Sequence, residues 1–344
     1  MVEPVPLLEM LPLDDGIPAG LLYHYTTLDG LLGILDSDSI RATHIRYLND
    51  RAELKDAFER GYPKLVIKAL FPDIEENDAD KLSNIVNPTG DKFHAYIVSF
   101  TDEKFIDGDD TFQPGDRLSQ WRAYSGSTGG FSLGFDPKCL SLVSRPDHLE
   151  ETGALQFLLR CIYATASKRS IAEEIGANRS TKMAHLKETM LRKFTEKEQR
   201  TPDTTEEVEI NKAVFARILG ASAADFFLRA ASFKDGSFSE ENEWRIVHFI
   251  ARDRLLLQHC LDLSAPIVQL RTGKFGITPY ISLPLGLKTE KSPLKRIVIG
   301  PTAHMEDALV AVKLSLESKG LAVKGESSDI GIEVIPSKIP YRNW

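Results

Sequence analysis

A helical pattern runs through residues 167–232 without any strand signal, and segments that look like strands lie on both sides of it. Apolar residues recur there at the spacing of one helix face. They are Ile210, Val214, Phe215, Ile218, Leu219, Phe226 and Phe227. The flanking strands are rich in β-branched and aromatic residues, as at 21–27, 95–101 and 243–250, and in the N-terminal part few helices separate them. We therefore predict an α+β fold with a mixed or antiparallel central sheet and a helical insertion.

The chain of 344 residues is long enough to bury a substantial core. We predict a single domain over residues 1–344. Within it, residues 18–164 would form the N-terminal half of the sheet core, residues 165–232 the helical insertion, and residues 233–344 the C-terminal half.

Local patterns predict the order of the first elements. A strand in LLYHYTT leads into a Leu-rich helix from Leu28 to Leu35, and a second strand follows at Ser39–His44. A turn then leads into a helix over residues 51–70, for which Asp50 is placed to be the cap. Residues 73–87 suit a surface excursion, and the acidic stretch 102–116 has the composition of a mobile loop or lid.

Composition favours a cytoplasmic protein without a membrane segment. The three cysteines are widely spaced and the first residues lack the layout of a secretory signal. No apolar run reaches the length of about 20 residues that spans a bilayer. The net charge of -8 argues against broad nucleic-acid binding. Residues 167–200 carry a local basic excess, which is either a solvated helix face or a local binding patch.

Eight short motifs, in order along most of the chain, resemble a family of bacterial proteins known as domain of unknown function 2971. The chain is identified as a member on these motifs together. They are Tyr23-His24-Tyr25-Thr26, Tyr47-Leu48-Asn49-Asp50, Val98-Ser99-Phe100-Thr101, Gln120-Trp121-Arg122-Ala123-Tyr124, Gly130-Phe131-Ser132-Leu133-Gly134-Phe135-Asp136, Glu241-Asn242-Glu243-Trp244-Arg245, Ile299-Gly300-Pro301 and Ser337-Lys338-Ile339-Pro340-Tyr341-Arg342.

The order of these segments is also similar, more distantly, to the ADP-ribosyltransferase superfamily. That resemblance implies a sheet of the ADP-ribosyltransferase type, NAD as the substrate, and transfer to an unknown acceptor, either protein or nucleic acid. It makes His24 the ribose anchor and Glu243 the catalytic carboxylate, with Tyr124 or Trp121 stacking on nicotinamide. Further contacts to NAD are expected from Tyr25, Thr26, Asn49, Ser99 and Thr101. A toxin or a phage-defence effector is a role that the resemblance also implies.

Two carboxylates two residues apart on a strand point to one face, so we expect Glu241 and Glu243 to share a cleft. A fixed carboxylate near the ribose stabilises the positive charge that develops as the bond to nicotinamide breaks. Like charges close together should raise the pKa of one of the two. Arg245 would neutralise part of the charge, or bind the pyrophosphate with Arg271 and Lys274.

Structural roles compete with each of these assignments. His24 can be a hydrogen-bonded core residue, Glu243 an ion pair at a sheet edge, and Trp121 with Tyr124 core filling. Asn49 suits a turn as well as a ligand contact. The histidines lack metal-ligand spacing, so we predict no metal site. Alternative functions are a NAD glycohydrolase that uses the same cleft and a non-catalytic module that binds nucleic acid or protein. The sequence leaves the oligomeric state open.

Overall fold

The structure, a computed structural model, describes residues 16–48, 57–86, 93–103, 113–126, 129–143, 155–251, 267–273, 276–325 and 330–340. The strands are β1 (Leu22–Thr27), β2 (Ser39–His44), β3 (Phe93–Asp102), β4 (Gly130–Phe135), β5 (Leu155–Arg160), β6 (Glu243–Ala251), β7 (Gln269–Gly273), β8 (Gly276–Pro284), β9 (Leu294–Ile299) and β10 (Glu333–Pro336). The helices are α1 (Leu28–Ser37), α2 (Tyr62–Leu70), α3 (Glu76–Val86), α4 (Leu118–Tyr124), α5 (Pro137–Val143), α6 (Thr165–Glu198), α7 (Thr204–Ala230) and α8 (Met305–Ser318).

These strands form one mixed, mostly antiparallel sheet, which confirms the α+β class. Its main path is β10-β9-β4-β1-β3-β2-β8-β7, and β6 pairs with both β3 and β5. Among the paired strands described, β9 and β10 run parallel while the other pairs run antiparallel. Strands from before and after the helical insertion therefore interleave in one sheet.

The sheet forks along one edge of β3. β1 pairs with the end of β3 through Tyr23 and Thr101, whereas β2 pairs with its middle through Thr43 and Ile97. Between these points β1 and β2 separate from β3, and Ser99 lies at the fork, exposed. The other edge of β3 is paired with β6 along its whole length.

Side chains on the two faces of this sheet have different surroundings. One face carries Tyr23, Thr101 and Glu243, which lie side by side in register. Farther along the same face, Ile97 and Val247 pack in a core with α6 and α7, so we call it the insertion face. The opposite face carries Phe100 and Trp244, in a core that includes residues of α1 and α8.

The helical insertion, whose sequence predicts helix throughout, is a hairpin of two long helices, α6 and α7. A capping box at Asp203 and Glu206 starts α7. The hairpin packs closely on α2, because a Cβ atom on Gly176 of α6 would lie 2.2 Å from the Val66 carbonyl oxygen. Glycine is required at this point of approach.

One local prediction was wrong, and two features were not predicted. The helix predicted over residues 51–70 is interrupted at Gly61, whose φ of 75 begins α2 anew; residues 49–56 lie outside the described residues. The surface excursion at 73–87 contains the helix α3. The hairpin of β7 and β8 was missed, because every residue of β7 is exposed and shows no buried face. None of the helices described is long and apolar enough to cross a membrane.

Candidate active site

The Lys234 side chain joins Glu241 and Glu243 on the insertion face. Its Nζ atom lies 2.7 Å from Oε2 of Glu241 and 2.5 Å from Oε2 of Glu243. The Glu243 side chain is only 3% exposed, whereas that of Glu241 is 14% exposed. The two carboxylates therefore do converge, and Glu241 is the more accessible of the two.

The reason for this convergence differs from the prediction. Glu241 is not on β6 but ends a 3₁₀ turn over Gly236–Glu241. Asn242 follows in the left-handed conformation, with φ 42 and ψ 52, and β6 starts only at Glu243. The two acids are therefore not brought together by alternation along one strand. The ammonium of Lys234 holds them together.

Glu243 is surrounded by cations and hydrogen-bond donors. Arg245 Nε donates to Glu243 Oε1 at 2.7 Å, and Arg245 Nη1 donates to the Ala231 carbonyl at 2.8 Å. The Glu243 amide donates to the Tyr163 hydroxyl at 2.8 Å. Burial acts to raise the pKa of Glu243, but Arg245 and Lys234 outweigh it and lower the pKa to about 2. A raised pKa is therefore not found at Glu243, and Arg245 is committed to this acid.

Of the two rings predicted to stack on nicotinamide, Tyr124 is the accessible one. Trp121 is 5% exposed, its Nε1 donates to Asp116 at 2.8 Å, and its ring meets Tyr25 edge-on at 4.8 Å. Trp121 is therefore a core residue. Tyr124, at the end of α4, is half-buried. Burial, followed by the charge of Glu241, raises the pKa of Tyr124 to about 12.

Glu103 is a buried carboxylate that was not predicted from the sequence, and it binds the residues just before α4. The Tyr25 hydroxyl donates to Oε1 of Glu103 at 2.5 Å, and the Gly115 amide donates to Oε2 at 2.5 Å. The Arg117 amide in turn donates to the Tyr25 hydroxyl at 3.0 Å. Burial raises the pKa of Glu103. Tyr25 is 7% exposed, and its hydroxyl is bonded to Arg117, the residue just before α4, rather than facing solvent.

His24 lies at the fork but points away from Glu243. Its neighbour Tyr23 is in register with Thr101 and Glu243, and successive residues of a strand point to opposite faces. The His24 ring packs at 5.9 Å from Phe100, on the opposite face, and its Nδ1 lies 2.9 Å from the Ser99 carbonyl oxygen. Burial lowers its pKa. The prediction that His24 and Glu243 face one cleft is wrong.

The remaining predicted residues fall into four groups. Ser99 and Thr101 are on the insertion face with Arg245 and Glu243, but Thr101 is 5% exposed and only Ser99 is open. Thr26 is on the same side of β1 as His24. Arg271 is on β7, where it donates to Thr43 at 3.0 Å rather than joining Arg245. Asn49 and Lys274 lie outside the described residues.

The basic stretch of the insertion is largely engaged within the protein. Lys168 donates to the Lys234 carbonyl at 2.7 Å, and Arg179 forms a buried ion pair with Asp225. Four others form ion pairs with glutamates: Lys187 with Glu207, Arg192 with Glu196, Lys197 with Glu198, and Arg200 with Glu206. These contacts suit a solvated helix face, and the nucleic-acid patch stays a prediction.

A cavity of about 600 Å³ lies elsewhere, between the α2–α3 turn and the helical insertion. Its walls are mostly apolar and include Leu70, Phe71, Met183 and Phe215. None of the predicted site residues lines it. Among the residues that the structure describes, no group of three or more His, Cys, Asp or Glu side chains is arranged to hold a metal ion.

Comparison with known proteins finds one family that the middle of the chain matches. Residues 120–246 match the family described as Protein of unknown function (DUF2971). The DUF2971 match contains Trp121, Tyr124, Lys234, Glu241 and Glu243, so the cluster on the insertion face lies wholly within it. No curated protein and no solved structure matched the chain.

Lys234 is the residue of this cluster that sequence reasoning missed. It precedes Glu243 by nine residues in the segment FKDGSF, where Asp235 and Gly236 indicate a turn. Its contact with both acids depends on how the 3₁₀ turn folds back, and residue spacing does not report that. The Asp235-Gly236 pair therefore indicates the turn, but it does not indicate the contact of Lys234 with the two acids.

Proposed function

We propose that the protein is an NAD-dependent enzyme of the ADP-ribosyltransferase type. Its active site would lie at Glu241, the more exposed acid of the cluster that Lys234, Glu241 and Glu243 form on the insertion face. The site would consist of Tyr124, Glu241 and Ser99. The observation that carries the proposal is the partly exposed Glu241 carboxylate, which Lys234 fixes. The charge of Glu241 also acts on the half-buried Tyr124 ring, whose pKa it helps to raise. This assignment keeps the predicted chemistry. It drops the prediction that His24 and Glu243 act together in one cleft.

Glu241 suits the catalytic role better than Glu243. Both oxygens of Glu243 are already bonded, Oε1 to Arg245 and Oε2 to Lys234. A carboxylate so neutralised has little attraction left for a developing cation. Lys234 bonds Glu241 only through Oε2, and part of the Glu241 side chain reaches solvent.

The proposed reaction breaks the bond between C1′ of the ribose and the nicotinamide nitrogen. The electron pair of that bond leaves with nicotinamide, which becomes neutral, and positive charge develops at C1′. A fixed carboxylate at Glu241 stabilises this charge. An acceptor hydroxyl, amine or water then forms the new bond to C1′ and loses a proton to solvent or to the carboxylate. Water as the acceptor would make the protein a glycohydrolase, with ADP-ribose as the product.

The same site accounts for substrate placement. The ring of Tyr124 would stack on nicotinamide, since aromatic faces pair with flat cationic rings. The exposed hydroxyl of Ser99, at the fork, would contact the ribose. His24 takes no part in substrate binding in this proposal, because its Nδ1 bonds the Ser99 carbonyl and its ring packs near Phe100 on the opposite face.

The test compares Glu241→Gln with Glu240→Gln, which changes an exposed neighbour on the same 3₁₀ turn. NAD consumption and release of ADP-ribose are measured by chromatography, with and without a lysate that supplies acceptors. We expect Glu241→Gln to lower turnover by about 100-fold or more, as loss of one strong electrostatic stabiliser does, and Glu240→Gln to retain it. Wild-type protein that consumes no NAD under either condition would refute the proposal. Equal activity of the two variants would remove Glu241 from it.

A further inference from the structure

Two arginines lie on either side of the paired Thr43 and Tyr280, on the wing of the sheet formed by β2, β8 and β7. Arg41 and Thr43 of β2 are in register with Ser282 and Tyr280 of β8. Arg271 of β7 is in register with Thr278, two residues from Tyr280 on the same face of β8. Thr43 also pairs with Ile97, so this is the insertion face. Both arginines are exposed there.

Neutral groups hold both guanidinium groups in place. The Arg41 guanidinium lies 5.3 Å from the ring centroid of Tyr280, and Arg271 Nη2 donates to the Thr43 hydroxyl at 3.0 Å. The Tyr280 ring is itself fixed, because its hydroxyl donates to Gln269 at 2.7 Å. Both cations are thus oriented before any ligand arrives.

Neither cation is neutralised by an acid in the part of the chain that the structure describes. The protein has 50 acidic and 42 basic residues, so a nearby carboxylate would be the ordinary partner for an arginine. Instead, partial burial and the charge of Arg41 lower the pKa of Arg271. The two like charges repel each other, and a bound anion would remove that repulsion.

We propose that Arg41 and Arg271, with Thr43 between them, form a binding site for the phosphate groups of a small ligand such as a nucleotide. Planar guanidinium groups bind phosphate oxygens through paired hydrogen bonds, and the Thr43 hydroxyl adds a further polar contact. This site uses none of Tyr124, Glu241 or Ser99, so it does not depend on the proposed enzymatic activity.

A small ligand fits the wing better than a nucleic-acid backbone does. A backbone is bound through many cations spread along a surface, whereas only two arginines among the residues described contact the paired Thr43 and Tyr280 here. The basic stretch of the insertion, which could have extended such a surface, is mostly paired internally. The net charge of -8 also opposes a long polyanion.

Isothermal titration of inorganic pyrophosphate into the full chain at low ionic strength tests the proposal. We expect saturable binding by the wild type and binding weakened by about tenfold in Arg41→Gln and in Arg271→Gln, because each loses a charged hydrogen-bond donor. Arg192→Gln, which removes an exposed arginine of α6, is the matched control and should bind as the wild type does. Circular dichroism confirms that each variant is folded.

Lack of binding by the wild type, or equal binding by all three variants, overturns the site. A single-stranded oligonucleotide that binds more tightly than pyrophosphate, and that loses affinity in the same two variants, overturns its assignment to small ligands. Glu241→Gln separates this site from the proposed function, because it should bind pyrophosphate with unchanged affinity whether or not the protein turns over NAD.

Discussion

The ammonium of Lys234 lies 2.5 Å from a carboxylate oxygen of Glu243, and both side chains are more than nine-tenths buried. Burying either charge alone would be costly, because each loses its hydration. Burial acts to lower the pKa of Lys234, but the charges of Glu243 and Glu241 raise it overall. The pair therefore stays ionised, and it links the 3₁₀ turn that carries Glu241 to the start of β6.

Replacing Lys234 with Met should destabilise the protein strongly. The change leaves Glu243 buried with one cation, Arg245, instead of two. Loss of one partner from a buried ion pair typically costs about 3–5 kcal/mol, and urea unfolding measures it as a fall in the free energy of unfolding. Lys212→Met is the control, because Lys212 pairs with Glu209 on an exposed surface and should cost no more than about 1 kcal/mol. Similar falls in the free energy of unfolding in both variants would show that burial does not make the Lys234 ion pair more stabilising than an exposed one.

The buried acid Glu103 should make stability depend on pH. Burial raises its pKa in the folded protein, whereas the unfolded chain has an ordinary value of about 4.3. At a pH between these two pKa values, folding therefore takes up a proton. The stability that Glu103 contributes is fully present below about pH 4 and is lost as the pH rises through the folded-state pKa.

Glu103→Gln removes this titration. The free energy of unfolding of the variant, relative to the wild type, should therefore increase as the pH rises from about 4 to 7. Urea unfolding at a series of pH values measures the difference between the two proteins. Parallel curves across that range would show that Glu103 has the same pKa in the folded and unfolded states.

Much of the fold follows from local periodicity. The limits of β2 at Ser39–His44 agree with the sequence prediction, because the segment has buried positions and a breaker before it. The helical character predicted over residues 167–232 is also found, in α6 and α7. β7 was not predicted, since a strand without a buried face leaves no apolar alternation. β8 was not predicted either, although it has buried residues where it pairs with β2.

The candidate site was predictable only in part. Tyr124 and Glu241 were identified as candidates from the ordered motifs, but their relation to His24 depends on which face each strand turns inward. A shift of one residue in register reverses that choice, and sequence spacing does not fix the register between β1 and β3. Arg41 had no signal at all, because only the pairing of β2 with β8 brings it near Arg271.

Gly115, just before α4, should tolerate no side chain. Its φ is +86, and a Cβ atom would lie 2.5 Å from Cε1 of Tyr23. Gly320 has a similar φ of +73 with open space around it. Gly320→Ala should cost about 1–2 kcal/mol from the left-handed backbone alone, and Gly115→Ala about 1–3 kcal/mol more from steric overlap. Thermal and urea unfolding compare them, and equal costs would show that Tyr23 moves aside freely.

Tyr124 should contribute to NAD binding through its ring rather than its hydroxyl. Binding is best measured by titration calorimetry in a Glu241→Gln background, where turnover does not consume the ligand. Tyr124→Leu should weaken NAD binding by about 0.5–1.5 kcal/mol, roughly two- to twelvefold, because it loses the stacking surface. Tyr124→Phe keeps the ring and should bind as the parent does. Equal weakening in both variants would assign the contact to the hydroxyl, and no change in either would place NAD away from α4.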